Sequence, residues 1–293
     1  MTSGLNMWSD VSSISNSVRE DAVFAVREAS VFLPHVLQFN DMSGGNLRKN
    51  FGYPASTAGT IGESTDLTST VWTGTAMQTL TPKEIGKQFF VTDLRADSES
   101  PDRIKNDAAR ELGLAAAAKI DNDIFELFGS LTGGSAGGTG TSGTPTWGFL
   151  AAAIAQARAA NKRSNVPLVC MVHGYVWSVL AKSASIAGAS VATAPGYIDE
   201  ITRSGYVATF MGVPLYQFYL NDDVAGQAST AIKNAVFPRD AIAIDWRRPI
   251  RVEGQRDASL RGIEFNMSAV YAAGIWRPEL GVYFNALAAT PTS

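Results

Sequence analysis

Two histidines, one cysteine and a few neighbouring carboxylates are the side chains of this 293-residue sequence that could carry out chemistry. Cys170 and His173 stand three apart, a spacing that suggests a thiolate–imidazole nucleophile. Cys170 lies inside the apolar run Leu168 to Val172, however, where a thiol is buried and inert. Residues i and i+3 of a strand also point to opposite faces. Cys170 is therefore expected to be a structural thiol, and His173 a structural residue closing a strand. His35 is too far away in sequence to complete a site. Asp121 and Asp123 flank Asn122 on a predicted helix, where residues two apart diverge by about 200° and cannot share a metal ion. Asp222 and Asp223 read as a solvated turn. Gly138, Gly140 and Gly143 satisfy G-x-G-x-x-G in letter. The dinucleotide mechanism needs a preceding strand and an acidic residue about 20 positions on. Here a helix end and more glycine precede the loop, and residues 159–165 supply no acid. No catalytic, cofactor-binding or metal-ligating set emerges, so the chain is read as a non-enzyme without a cofactor.

A second group of residues has the types that hold one protein chain to another. Arg48, Lys49, Phe51, Tyr53, Glu63, Asp66 and Trp72 fall in one polar, extended stretch. Trp246-Arg247-Arg248 and Trp276-Arg277-Pro278 set arginines beside aromatics in strand-rich segments. Such pairs can stack on nucleic acid, but 24 Lys and Arg against 27 Asp and Glu leave a net charge of −3 and no basic excess. Inter-subunit contacts, where Trp, Tyr and Arg are favoured anchors, are the preferred reading for Arg247, Arg248 and Arg277. Glu63 and Asp66, near a loop tip, could pair with Arg48 or Lys49 of a neighbouring copy or be solvated.

The elements that would position these residues are legible in outline. Residues 17–33 pattern as an amphipathic helix ended by Pro34, packed either on its own subunit or on an adjacent copy. Residues 46–93 are rich in Thr, Ser and Gly yet carry Phe51, Tyr53, Trp72, Met77, Phe89 and Phe90. They suit a long two-stranded excursion whose aromatics another chain covers, with a hairpin packed on its own subunit as the alternative. Residues 80–87 mark a bend, and Gln88 to Thr92 a strand. Ser100 caps a helix with Pro101 at its first position. Ile104, Ala108, Leu112, Ala116, Ile120, Ile124 and Phe128 recur along it, and Gly129 is the expected stop. A Gly/Ser/Thr-rich stretch, 129–148, reads as a hinge. Helices are expected at 147–162, 174–182 and 195–203. Strands are expected at 167–172, 206–211, 213–219, 235–237, 241–245, 250–255, 261–276 and 281–284.

Apolar content of 45% and charged content of 17% describe a folded protein. A single cysteine allows no intrachain disulfide and fits a reducing compartment. No signal peptide is visible, and runs such as Phe149 to Ala155 fall far short of the roughly 18 residues that span a bilayer. A soluble, cytosolically made chain without a membrane role is expected, and its opening at Met1 suggests that no N-terminal prodomain is removed.

The order of these elements resembles the major capsid proteins of tailed phages, with the Hong Kong 97-type α+β fold. Residues 46–93 look like that family's extended loop, with 80–86 entering its returning strand, and Pro101 to Phe128 look like its spine helix. Leu168 to His173 with Tyr175 to Leu180 look like the first strand and helix of its axial domain. Gly205 to Tyr216, Phe237 to Ile244 and Arg261 to Tyr283 look like its adjacent-strand turn and closing strands. The resemblance implies an N-terminal arm over 1–45 and an extended loop over 46–93. It implies a peripheral domain over 94–130 and 232–293 and an axial domain over 131–231. It further implies homo-oligomeric pentamers and hexamers tiling an icosahedral shell around double-stranded DNA that is not read by sequence. A portal, a separate scaffold or a decoration protein would be the other partners, and the virion, assembled in the host cytoplasm, the location. Lys83 and Lys87 lack a matching acidic activator, so no crosslink is expected. An encapsulin-like cargo compartment of the same fold and a soluble α/β enzyme built on Trp147 to Tyr219 are the rival readings.

Overall fold

The longest element, α1 (Pro101–Glu126), forms where small and aliphatic residues recur every three or four positions. Ala108, Leu112, Ala116, Ile120 and Ile124 are buried as their spacing predicts, with Ala109 and Ala117 beside them. At 26 residues the helix is roughly 40 Å long. It does not run on to Phe128 and stop at Gly129. It ends at Glu126 and tightens into a 3-10 turn, Leu127–Ser130, which drives Phe128 into the core. Gly129 lies inside that turn with the Lys233 side chain beside it: a Cβ there would come 2.8 Å from the Lys233 Nζ.

This computed structural model describes residues 21–23, 25–26, 29–41, 47–52, 60, 63, 75–94, 101–134, 143–161, 166–186, 206–219 and 231–287. Residues 21–23, 25–26 and 29 are helical. The remaining elements are β1 (Leu37–Phe39), β2 (Arg48–Gly52), β3 (Thr75–Leu80), β4 (Lys83–Thr92), α2 (Trp147–Asn161) and β5 (Leu168–His173). They continue with α3 (Gly174–Ile186), β6 (Tyr206–Phe210), β7 (Val213–Phe218), β8 (Ala231–Pro238), β9 (Ile242–Asp257), β10 (Gly262–Ile275) and β11 (Val282–Leu287). The helix expected at 195–203 and the cap Ser100 lie outside the described residues.

The strands form a four-stranded sheet, β1-β9-β10-β4, a five-stranded sheet, β11-β8-β5-β7-β6, and a separate two-stranded ribbon, β2-β3. Pairing is antiparallel except for β1 with β9 and β5 with β7. Three expectations change. The strand read at Gln88 to Thr92 begins at Lys83 and pairs along β10 for its whole length, from Lys83↔Tyr271 to Thr92↔Gly262. The last part of the 46–93 segment, Lys83–Thr92, is therefore body sheet, and Phe89 packs on the subunit's own core. The strands read at 241–245 and 250–255 are one, β9. Pro249 has no N–H to give the ladder, and the register slips there from Arg251↔Ser268 to Arg248↔Val270, a bulge that lets the strand continue. Finally, β8 pairs antiparallel with β5, so the division drawn at residue 231 runs through the five-stranded sheet. Between β6 and β7, Met211 (φ 51°) and Gly212 (φ 72°) take the two consecutive left-handed positions of a tight hairpin turn.

One main core joins both sheets and the helices. Its centre is aromatic. Phe32 from the N-terminal segment meets Phe128 at 5.4 Å and Phe218 of β7 at 5.1 Å, and Phe128 meets Phe237 of β8 at 5.6 Å. A second, small cluster of Leu80, Ala243 and Ala272, with Leu37, Phe39 and Trp276 packed against it, lies apart from that core.

Candidate assembly interface

The two carboxylates of α1 diverge as their spacing requires. Asp121 is buried and turns to the N-terminal segment. Ser30 Oγ donates to its Oδ1 at 2.5 Å, the Val31 amide to its Oδ2 at 3.0 Å and the Phe32 amide to Oδ1 at 3.4 Å. Burial raises the Asp121 pKa above the usual carboxylate value, while these three bonds pull it the other way. Asp123 accepts from Lys119 Nζ and from the Tyr271 hydroxyl of β10, each at 2.6 Å. One acid thus ties the N-terminal segment to α1 and the other ties α1 to the sheet. At Gly113 the helical residues before Ser30 come so close that a Cβ would meet Ala25 Cβ at 2.5 Å and the Ala22 carbonyl at 2.8 Å. Within the single chain, the described helical residues pack on α1.

The other chemically capable side chains are used in packing. Cys170 is fully buried, and desolvation pushes its thiol well up. The His173 Nδ1 accepts from the Tyr175 amide at 3.2 Å, and its own amide donates to Asn234 Oδ1 at 2.8 Å. His173 therefore closes β5 and caps the first turn of α3. The His35 ring lies 4.1 Å from that of Tyr216, and burial, with Arg239 nearby, lowers its pKa to about 4. Gly143 leads into α2, while Gly138, Gly140, Asp222 and Asp223 lie outside the described residues. Among the described residues no group of three or more His, Cys, Asp and Glu could hold a metal ion, and no helix is long and apolar enough to cross a membrane.

The residues expected to contact a neighbouring copy divide into three sets. Arg48 and Arg247 turn inward. Asp245, fully buried on β9, is ion-paired with Arg247, whose Nη2 is 2.8 Å away, and with Arg48, whose Nε is 3.4 Å away. The side chains of Arg48 and Arg247 are 14% and 6% exposed, so both are largely covered within their own subunit. Arg48 also pairs with Asp41 and lies 4.1 Å over the Phe39 ring. The sequence reading named both arginines but missed their carboxylate, whose one signal was its place in Asp245-Trp246-Arg247-Arg248. The second set faces outward. Lys49, Glu63 and Arg277 are exposed, and Arg248 pairs with Glu84 at the surface. The third set, Tyr53, Asp66, Trp72 and the Phe51 side chain, lies outside the described residues, though the Phe51 backbone pairs with Ala76 in the ribbon.

A family model described as phage capsid protein matches residues 75–283. The chain belongs to the phage capsid protein family. A search of curated proteins finds no match. Among solved structures, the capsid of cyanophage P-SCSP1u is similar at TM-score 0.65 and 14% identity, over 88% of each chain. Mycobacterium phage Che8 is similar at 0.57 and 19% identity, over 82% of this chain and 85% of that one. A virus-like particle from Pyrococcus furiosus is similar at 0.60 and 12% identity, over 92% and 98%. The expected α+β phage capsid fold and the resemblance to major capsid proteins are both upheld.

For a capsid protein the exposed apolar surface is the natural contact surface. Leu114, on the outer face of α1, is 39% exposed. It borders three shallow clefts of about 460, 490 and 580 Å³. The first lies between β4 and α1 and is lined by Phe89, Phe90, Arg110 and Glu111 among others. At the far end of the four-stranded sheet, Leu94 and Leu260 are 81% and 59% exposed. An Arg256–Asp93 pair flanks them, with both guanidinium nitrogens bonded at 2.9–3.0 Å. Apolar side chains ringed by charge are suited to burial against another chain.

Proposed function

We propose that this capsid protein assembles into pentamers and hexamers that tile an icosahedral shell around double-stranded phage DNA. The observation that carries this reading is the fold match to phage capsid structures over nearly all of both chains, 88% and 88% for the cyanophage P-SCSP1u capsid. In this reading the role is structural and non-catalytic. Residues 46–82 reach over an adjacent subunit, the segment around β5 to β7 lies toward the capsomer axis, and α1 with the four-stranded sheet lies toward the periphery. The exposed leucines and the charged pairs around them supply modest contacts that the shell repeats many times, each stabilised at roughly 25 cal/mol per Å² of apolar area before the costs of association. A net charge of −3 suits a wall that encloses DNA without gripping it. Portal, scaffold and decoration proteins are the further partners, and the virion, assembled in the host cytoplasm, is the location.

The test is negative-stain microscopy with static light scattering on the chain expressed alone. Closed shells, or rings of five and six, are expected. A stable monomer with slow hydrogen exchange over residues 46–82 would overturn the reading, because that segment would then have its partner within its own chain. The match to the Pyrococcus furiosus virus-like particle supports a second reading, a cargo-holding shell of the same fold. The contents of native particles, DNA or protein, decide between them.

A further inference from the structure

We propose that Asp245 is the positioning residue of the extended loop, fixing the set of the β2-β3 ribbon by holding Arg48. The ribbon belongs to neither large sheet. Its root is seated on the small second cluster, where Leu80, 1% exposed, packs with Ala243 and Ala272 beside Phe39 and Trp276. The root is tied down by polar groups on the same side. Arg48 reaches Asp245, and Asn50 donates to the Trp276 carbonyl. Phe39, which lies under the Arg48 guanidinium, packs on Trp276 at 5.2 Å.

The charges at this joint centre on one buried carboxylate. Two largely buried guanidiniums share Asp245, and among the described residues Asp41, whose side chain is 68% exposed, also pairs with Arg48. Arg247 sits on the same strand as Asp245, while Arg48 sits on β2. If that carboxylate is removed, Arg48 keeps the exposed Asp41 as a partner, but the two guanidiniums lose the buried negative charge between them, which disfavours the closed arrangement. The ribbon is the part free to respond, because Arg247 belongs to β9, which β10 pairs on either side of that residue, whereas Arg48 belongs to the separate β2-β3 pair. A small cluster separate from the main core opens at lower free energy than the core itself. The root is therefore a joint that can loosen while the body stays folded. The ribbon strands β2 and β3 are the two ends of the chain that connects them, so the setting of the joint fixes where that connection leaves and returns. This concerns the subunit itself and goes beyond the assembly reading.

Hydrogen exchange read by mass spectrometry on the full chain tests it, with wild type, Asp245→Asn and Arg48→Gln compared in one assembly state. The amides of Arg48–Gly52 and Thr75–Leu80 are expected to exchange roughly 100-fold faster in Asp245→Asn, where a buried carboxylate is lost from between two guanidiniums, and roughly 10-fold faster in Arg48→Gln, where one charged contact is lost. The amides of β5 and β8 are expected to be unchanged. Arg48→Gln covers the case in which Asp245→Asn fails to fold, since Asp245 then keeps Arg247. Unchanged exchange in the ribbon of Arg48→Gln would overturn the proposal. So would an equal rise across β5 and β8, which would make the group a general core contact and not a setting for the loop.

Discussion

Replacing Asp121 with alanine removes the carboxylate that ties the N-terminal segment to α1. Two good hydrogen bonds are lost, from Ser30 Oγ at 2.5 Å and from the Val31 amide at 3.0 Å. Each goes to a charged acceptor and is worth roughly 1.5–3 kcal/mol. The third, from the Phe32 amide, is long at 3.4 Å and adds little. Against this stands relief from burying a carboxylate, a cost that its raised pKa records. The net expectation is about 2–3 kcal/mol of destabilisation, or a fall in Tm of about 4–10 °C for a chain of this size. Asp121→Asn keeps the shape and one acceptor and should cost only about 1 kcal/mol, since one backbone N–H is left facing an amide. Thermal unfolding of unassembled subunits at a single concentration measures both, and hydrogen exchange at Val31 and Phe32 locates the effect. If asparagine proves as costly as alanine, or alanine is neutral, the carboxylate is not acting as the acceptor that holds this segment.

Acid should weaken the fold through His35. Its pKa is lowered from 6.5 to about 4 in the folded chain, so the unfolded chain binds more protons between those values. Stability then rises with pH across that window and is lost as pH falls toward 4. Discounted for solvent around a partly buried ring, the effect is roughly 1–2 kcal/mol, and a His35→Phe variant should lack it. Identical acid dependence in the two proteins would count against this assignment. Gly113→Ala should destabilise despite the better helix propensity of alanine. The added methyl would lie 2.5 Å from Ala25 Cβ, and overpacking of about 1–3 kcal/mol outweighs a propensity gain of about 1 kcal/mol. A variant with a higher unfolding midpoint would show that the N-terminal helix yields freely. Cys170, buried and with its pKa raised, should not react with an aromatic disulfide reagent in the native protein and should react fully once unfolded. Rapid native labelling would mean that β5 opens locally.

Patterns that local physics controls were legible in the residues alone. The four-residue recurrence from Ala108 to Ile124 specified both the helix and its buried face, because a helix puts those positions on one side whatever it packs against. The hairpin at Gly212, the buried strand holding Cys170, and the divergence of Asp121 and Asp123 follow equally from short-range geometry. The capsid family could be read because its order of elements survives in the sequence, and the match over residues 75–283 agrees with it. Tertiary structure decided everything that depends on partners far apart in the chain. Pro249 reads locally as a break, yet β10 pairs with β9 on both sides of it, with the register shifted by a bulge. Lys83 to Thr92 reads as part of a projecting loop, yet β10 claims it for the body. Arg48 and Arg247 have the composition of contact residues, yet Asp245 draws them inward from nearly two hundred and from two positions away. A charge far apart in sequence can be a close neighbour in space, and whether an arginine faces a neighbouring subunit or its own carboxylate depends on long-range contacts that leave no local pattern.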